Sequence, residues 1–187
     1  MIIDNEKLIQ CLQKLLMSNY PDSFAAAVNV ILLTYYGLRV IMIQRSISPG
    51  DPWSGDIAFP GGRKKPGETP IETAVRETYE EIGLVDKQYK IVGFLEPVFP
   101  RSIPSMIVVP VVSILTNYDV RSLKPRSKEV DKVVLFQLPF RIKRLYVKHP
   151  YRGTIVEGFK DWYGNIVWGM SLRVLEKLVE KIRRCYS

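Results

Sequence analysis

Three carboxylates, Glu77, Glu80 and Glu81, stand at i, i+3 and i+4 of a stretch with helical periodicity. That spacing gathers them over about one turn on one face. Like charges held so close repel one another, so the arrangement asks for a cation. Divalent ions with oxygen ligands suit it, and Mg²⁺ typically uses a few carboxylates together with substrate phosphates. A solvated acidic face is the plainer reading of a glutamate-rich helix. The surrounding residues argue against it: Gly61-Gly62 lie upstream, and Glu68 and Arg76 are placed to brace the cluster as an ion pair.

The element that must position these groups is a helix with marked ends. Thr69 suits the N-cap, Pro70 the first helical position, and Glu72 completes a Thr-x-x-Glu capping box. Gly83 is the natural stop after Ile82. Between them Ile71, Ala74, Val75, Thr78 and Ile82 recur at spacings of three and four, which turns one stripe to a core.

Read as a whole, the stretch resembles the Nudix box, Gly-x5-Glu-x7-Arg-Glu-U-x-Glu-Glu-x-Gly-U, with U a bulky apolar residue. Gly62, Glu68, Arg76, Glu77, Glu80, Glu81, Gly83 and Leu84 fall in register, and Thr78 departs mildly at the first U position. The resemblance implies a hydrolase that uses Mg²⁺ or Mn²⁺ to cleave a diphosphate linked to another group. It also implies roles: Glu77, Glu80 and Glu81 as metal ligands, with the carbonyl of Gly61 as a further one, and Arg76 and Glu68 as orienting groups. The general base is left between Glu81, acting with metal-bound water, and Glu129 at the start of a later strand. Glu96 is a weaker candidate.

Composition bounds the alternatives. The chain has 187 residues, 47% apolar and 25% charged, the balance of a globular protein. No apolar run reaches membrane-spanning length, and the N-terminus lacks the basic and apolar regions of a signal peptide, so a cytoplasmic protein is expected. The two cysteines, Cys11 and Cys185, lack metal-ligand spacing, and free thiols in a reducing compartment are the default; a bond between the termini is the alternative. The net charge of +8 favours polyanions, nucleotides or nucleic acids. Without a basic stripe interleaved with aromatics, nucleic acid stays secondary to a small nucleotide diphosphate. A homodimer is compatible with the sequence.

Residues 4–18 read as an amphipathic helix with Leu8, Ile9, Leu12, Leu15 and Leu16 inward. Residues 23–35 and 39–45 make a buried hairpin about Tyr36-Gly37-Leu38, and Asp56 to Phe59 a short strand feeding the glycine loop. Lys90 to Val98, Ser105 to Leu115 and Glu129 to Leu138 read as strands, and residues 116–128 as a polar, basic loop. A basic segment ends near His149, a hairpin turns at Trp162 to Asn165, and Met170 to Arg184 closes the chain as a helix. This order argues for an α/β/α sandwich around a mixed β-sheet, as the resemblance does. One domain over 1–187 is expected, with a helical appendage at 1–20, the box at 61–84 and the last helix at 169–185.

The segment before the box bears on substrate. It partly resembles the motif of Nudix coenzyme A pyrophosphatases: Arg45-Ser46 and Gly55-x3-Phe59-Pro60-Gly61-Gly62 match, whereas Gly50 replaces a second arginine and one extra residue precedes Gly55. The run Ile166 to Gly169 resembles that subfamily's C-terminal segment. The implied substrate is coenzyme A or acyl-coenzyme A, cut to 3′,5′-ADP and a phosphopantetheine. ADP-ribose, NADH, nucleoside triphosphates and RNA 5′ ends stay open, as does a non-catalytic nucleotide-binding regulator. Arg45, Phe59, Gly61 and Gly62 are the substrate-side candidates, with Arg101, Lys124 or Arg126 expected to replace the missing arginine. His149 is expected in a basic loop without an orienting acid, and Trp53, Phe59, Phe99 and Tyr163 are the aromatics available to stack on a base.

Overall fold

The computed structural model describes residues 5–34, 37–116 and 119–186. Asp4, Tyr35, Tyr36, Asn117 and Tyr118, to which the sequence reading gives a helix start, a strand end, a turn and part of a loop, lie outside them. In chain order the described elements are α1 (Asn5–Leu15), β1 (Ala26–Leu33), β2 (Arg39–Arg45), β3 (Ile57–Ala58), β4 (Gly61–Arg63), α2 (Pro70–Ile82), β5 (Tyr89–Phe94), β6 (Val108–Leu115), β7 (Val130–Gln137), β8 (Leu145–Lys148), β9 (Ile155–Lys160), β10 (Ile166–Trp168) and α3 (Gly169–Cys185).

A mixed seven-stranded sheet forms the middle layer. Strand β1 lies parallel to β6 and antiparallel to β2. Every residue of β1 is buried, because the two faces of this sheet are both covered and leave no polar side to the strand. Ala26, Val28, Val30 and Leu32 pack with α1 and α3, through Leu8, Leu12, Leu172, Leu175 and Leu178. The alternate residues Ile31 and Leu33 pack with Ile82 and Leu84 at the end of α2, and Ala27 with Ala74. The result is the expected α/β/α sandwich.

The feature that creates the site is a fork. Strands β1 and β2 pair only over Ile31–Leu33 and Arg39–Ile41. Beyond that they part, and β3 fills the gap along β2 while β4 fills it along β1. The sequence reading makes Gly61-Gly62 part of a loop; they are a strand instead, paired with Val28 and Ala27. The close pairing explains Gly61: a Cβ there would lie 2.4 Å from the carbonyl oxygen of Ala27.

Two further differences follow from packing. Strand β8 forms, with β9 and β10, a separate three-stranded sheet, where the sequence suggested only a basic segment. It is an edge strand and largely exposed, so no apolar alternation announces it. Cys11 and Cys185 form a disulfide rather than standing as free thiols. Helices α1 and α3 pack side by side on the same face and bring the two Cα atoms to 5.7 Å, within the range a disulfide spans. No described helix is long and apolar enough to cross a membrane.

Candidate active site

Helix α2 carries the acidic cluster, and its capping is as the sequence implies. The Thr69 hydroxyl accepts from the Glu72 amide, the Glu72 carboxylate accepts from the Thr69 amide, and Gly83 ends the helix. The apolar stripe has one polar member with a task. Thr78 is fully buried, donates to the Ala74 carbonyl and accepts from Asn29, which in turn accepts from Ser113. The departure at the first U position thus ties α2 to β1 and β6 through satisfied hydrogen bonds.

Arg76 is the hub of the opposite face. Its guanidinium reaches Glu68 at 2.6 Å, Glu77 at 2.7 Å and Glu80 at 3.3 Å, and donates to the Arg63 carbonyl at 3.0 Å. It therefore binds β4, the intervening loop and α2 together. Glu68 also accepts from Thr73 and from the Lys65 amide. The Arg76 hydrogen bond above all, with those two, pulls the Glu68 carboxyl down to about 2.

Because that folded-state value lies below the unfolded one, the pair's stabilisation is complete above the ordinary glutamate range near 4.5 and fades as pH falls toward 2. Thermal melts should show it. In Glu68→Gln the melting temperature should be lower than in the parent protein at pH 7, and the two should converge on acidification through that window. A difference that persisted unchanged to the acid end would refute the pairing as the source.

Glu81 sits apart from this network. It is 5% exposed, and it accepts one hydrogen bond, from the Gly61 amide at 3.0 Å. No lysine or arginine pairs with it among the described residues. Burial first, then the charges of Glu77 and Glu129, push its carboxyl up to about 8, against the hydrogen bond from Gly61 and the more distant charge of Arg45. Glu77 lies against Gly62, where a Cβ would come within 2.5 Å of its carboxylate. Glu80 is turned outward, with its side chain 47% exposed and paired with Lys65.

No three acidic, histidine or cysteine side chains among the described residues converge as a ready cation cage. The internal cations explain this, because Arg76 holds Glu77 and Glu80, while the Gly61 amide holds Glu81. The donor set still fits a hard divalent ion. It offers carboxylate oxygens only, and Glu81 is a buried carboxylate without a cationic partner, a state that an added positive charge would relieve.

A cavity of about 630 Å³ is lined by Gly61 and Gly62 on one side and by β9 and the start of α3 on the other. The carboxylates of α2 do not line it, and Glu77 and Glu81 meet it only through the backs of those two glycines. Residues 23–140 of the chain match the model of the NUDIX domain. The chain belongs to the Nudix family.

Named relatives lie within the same family. Over 117 residues the chain is 38% identical to the human mitochondrial coenzyme A diphosphatase NUDT8, covering 62% of this chain and 48% of that one. Over 131 residues it is 36% identical to Nudix hydrolase 3 of Caenorhabditis elegans, covering 69% and 54%. It spans about half the length of the curated relatives it matches. Among solved structures, a MutT/nudix family protein from Enterococcus faecalis superposes with a TM-score of 0.55 at 17% identity, covering 99% of this chain and 75% of that one. A C. elegans Ap4A hydrolase in a binary complex gives 0.51 at 25% identity, covering 60% and 80%.

Around the Nudix box the remaining candidates are distributed unevenly. Arg45, at a bulge in β2, lines the cavity and is held by Asp51 at 2.8 Å. Phe59 is buried in the core and contributes one edge to the cavity. Arg101 lines it from the segment between β5 and β6, and Trp53, partly exposed, lines it as well. Glu129 is exposed at the start of β7, and its charge is felt by Glu81. Tyr163 is exposed at the β9–β10 turn and does not line the cavity, and Phe99 borders only a shallower depression beside it.

Several expectations are overturned. Arg126 lies over the Tyr79 ring at the far end of α2, and neither it nor Lys124 lines the cavity. Glu96 is paired with Lys177 and Lys181 of α3 rather than with anything in the site. His149 is not in an open loop without an acid. It is 2% exposed, its Nε2 lies 2.9 Å from Asp56, and its Nδ1 accepts from the amides of Tyr151 and Arg152. Burial lowers the imidazole and raises the Asp56 carboxyl. Arg152 also grips Asp56 at 3.0 Å and lies over the Trp168 ring. This knot fastens the small sheet to the residues just before β3. The sequence held no signal for it, because Arg152 and Asp56 are 96 positions apart.

Proposed function

We propose that this chain is a metal-dependent hydrolase of a nucleotide diphosphate, and that its substrate is coenzyme A or acyl-coenzyme A. Water adds across the P–O–P bridge: its oxygen ends on one phosphorus, and the bridging oxygen departs with the other. The products are two phosphate monoesters, 3′,5′-ADP and an (acyl-)phosphopantetheine. The observation that carries the reading is a cavity that joins the glycine pair, against which Glu77 and Glu81 lie, to an arginine-bearing, partly apolar wall. The relatives named as a coenzyme A diphosphatase favour this substrate over the other diphosphates.

In this reading Glu77, Glu80, Glu81 and the Gly61 carbonyl hold Mg²⁺ or Mn²⁺, which when bound would neutralise diphosphate oxygens and orient the water. The chain's own residues do the rest. Arg76 fixes Glu77 and Glu80, and Glu68 fixes Arg76, so the carboxylates keep one arrangement. Glu81 or Glu129 takes the proton released by the attacking water. Arg45 faces the diphosphate from β2, and Met106, Ile155 and Met170 offer apolar surface to the adenine or the pantetheine arm.

A hydrolysis screen with product identification by mass spectrometry tests the reading. It would include coenzyme A, acyl-coenzyme A, ADP-ribose, NADH, Ap4A, nucleoside triphosphates and 5′-triphosphate RNA. We expect 3′,5′-ADP to appear fastest, EDTA to abolish turnover, and Mg²⁺ or Mn²⁺ to restore it. Untouched coenzyme A beside a cleaved alternative would overturn the substrate assignment, and turnover that survives EDTA would overturn the metal.

A further inference from the structure

Five arginines line the cavity: Arg45, Arg101, Arg144, Arg152 and Arg173. Three have carboxylate partners, Arg45 in Asp51, Arg152 in Asp56, and Arg144 in both Glu157 and Glu176. Arg101 and Arg173 have none among the described residues. The carboxylate that acts on Arg173, Glu176, is already engaged by two nitrogens of Arg144 at 2.6 and 2.7 Å. Arg173 is half-buried on α3 and donates to the Phe99 carbonyl, which holds it against the segment that carries Arg101.

The two guanidiniums also stand at a defined place. Both border the main cavity and the shallower depression beside it, and that depression touches neither Gly61 nor Gly62. They therefore occupy the end remote from the Nudix box. Two positive charges side by side without a counter-ion repel each other. Burial, and then the charges of Arg101 and Arg144, draw Arg173 below the ordinary arginine range. An anion placed between them would relieve that repulsion, and planar guanidiniums match phosphate oxygens in pairs.

We propose that Arg101 and Arg173 form a second anion subsite that takes a phosphate monoester carried by the substrate outside its scissile diphosphate. Resting on the coenzyme A reading above, the subsite receives the ribose 3′-phosphate, and it makes the enzyme selective for coenzyme A over dephospho-coenzyme A. It also supplies an arginine grip from a different part of the chain than the position held by Gly50.

Two measurements test the subsite. The first compares kcat/KM for coenzyme A and dephospho-coenzyme A. The parent should favour coenzyme A by about tenfold or more, the size of charged hydrogen bonds to a phosphate. In Arg101→Gln/Arg173→Gln the ratio should approach one, through a rise in KM for coenzyme A. Arg101→Gln alone alters an exposed side chain and should lower the ratio part of the way, which covers the case in which the double variant does not fold. Equal loss on both substrates, or no preference in the parent, would overturn the subsite.

The second measurement needs no turnover: calorimetric binding of 3′,5′-ADP and of 5′-AMP. The parent should bind 3′,5′-ADP more tightly and the Arg101→Gln variant should narrow the gap; equal binding by the parent would overturn the subsite. If coenzyme A proves not to be cut while this difference persists and shrinks in the variant, the substrate assignment fails and the subsite stands.

Discussion

Replacing Glu81 by Gln is expected to lower kcat by about 100- to 10,000-fold, the range spanned by loss of a positioned acid or base, without loss of the fold. Glu81 is buried and, among the described residues, meets no cationic side chain, and the hydrogen bond that it accepts from the Gly61 amide can be accepted equally by a glutamine oxygen. Because burial holds the metal-free Glu81 carboxyl up at about 8, glutamine replaces a mostly uncharged group near neutral pH. The parent's unfolded chain ionises first, so the parent alone loses stability as pH rises from the ordinary 4.5 toward 8. The metal-free variant should therefore melt with the parent at the acid end of that window and above it as pH rises. Melts with and without Mg²⁺ supply a second readout. Ligand binding to the folded state alone raises its stability, so Mg²⁺ should stabilise the parent and fail to stabilise Glu81→Gln. Glu129→Gln separates the two candidate bases. A variant that loses turnover but keeps the Mg²⁺ response would assign the proton to Glu129. Turnover by Glu81→Gln equal to that of the parent would remove Glu81 from the site.

The second large effect concerns stability rather than rate. Reducing the disulfide, or replacing both cysteines by serine, should lower the melting temperature substantially. The bond joins residues 174 positions apart, and the chain-entropy model puts the benefit of so long a loop near its upper end, about 5 kcal/mol. Measured values run closer to 2–4 kcal/mol, which for a domain of this size corresponds to a shift of about 5–15 °C. Leu8, Leu12, Leu175 and Leu178 keep α1 and α3 packed without the bond, so cooperative unfolding should survive. Equal melting temperatures in oxidised, reduced and double-serine protein would show that the link adds nothing to stability.

Most of the acidic face was legible because its chemistry is local. Glu68, Arg76, Glu77 and Glu80 fall within a loop and one helix, so spacing alone places them within reach of one another, whereas it does not show Glu81 turned to the Gly61 amide and away from the other two carboxylates. The inward residues of α2 and α3 follow from helical period in the same way. The apolar runs of β1 and β2 announced buried strands but not the fork between them, since nothing in either strand marks where they part. The knot of Asp56, His149 and Arg152 was illegible for a different reason: its members come from distant segments and only the fold brings them together. The same holds for Arg173 and the segment of Phe99, 74 positions away. Strand β8 escaped notice because it is an exposed edge, and the disulfide because two cysteines with no characteristic spacing say nothing of each other's position.

That disulfide also changes what a cut in the chain would do. By joining α1 to the last turn of α3 it closes residues 11–185 into a covalent ring. Trp162 and Tyr163, 92% and 66% exposed at the turn between β9 and β10, offer an accessible aromatic pair to a protease. One scission there would open the ring without releasing a fragment. The nicked protein would keep its mass apart from one added water, hold β10 and α3 against the rest, and separate into two pieces only when thiol is added.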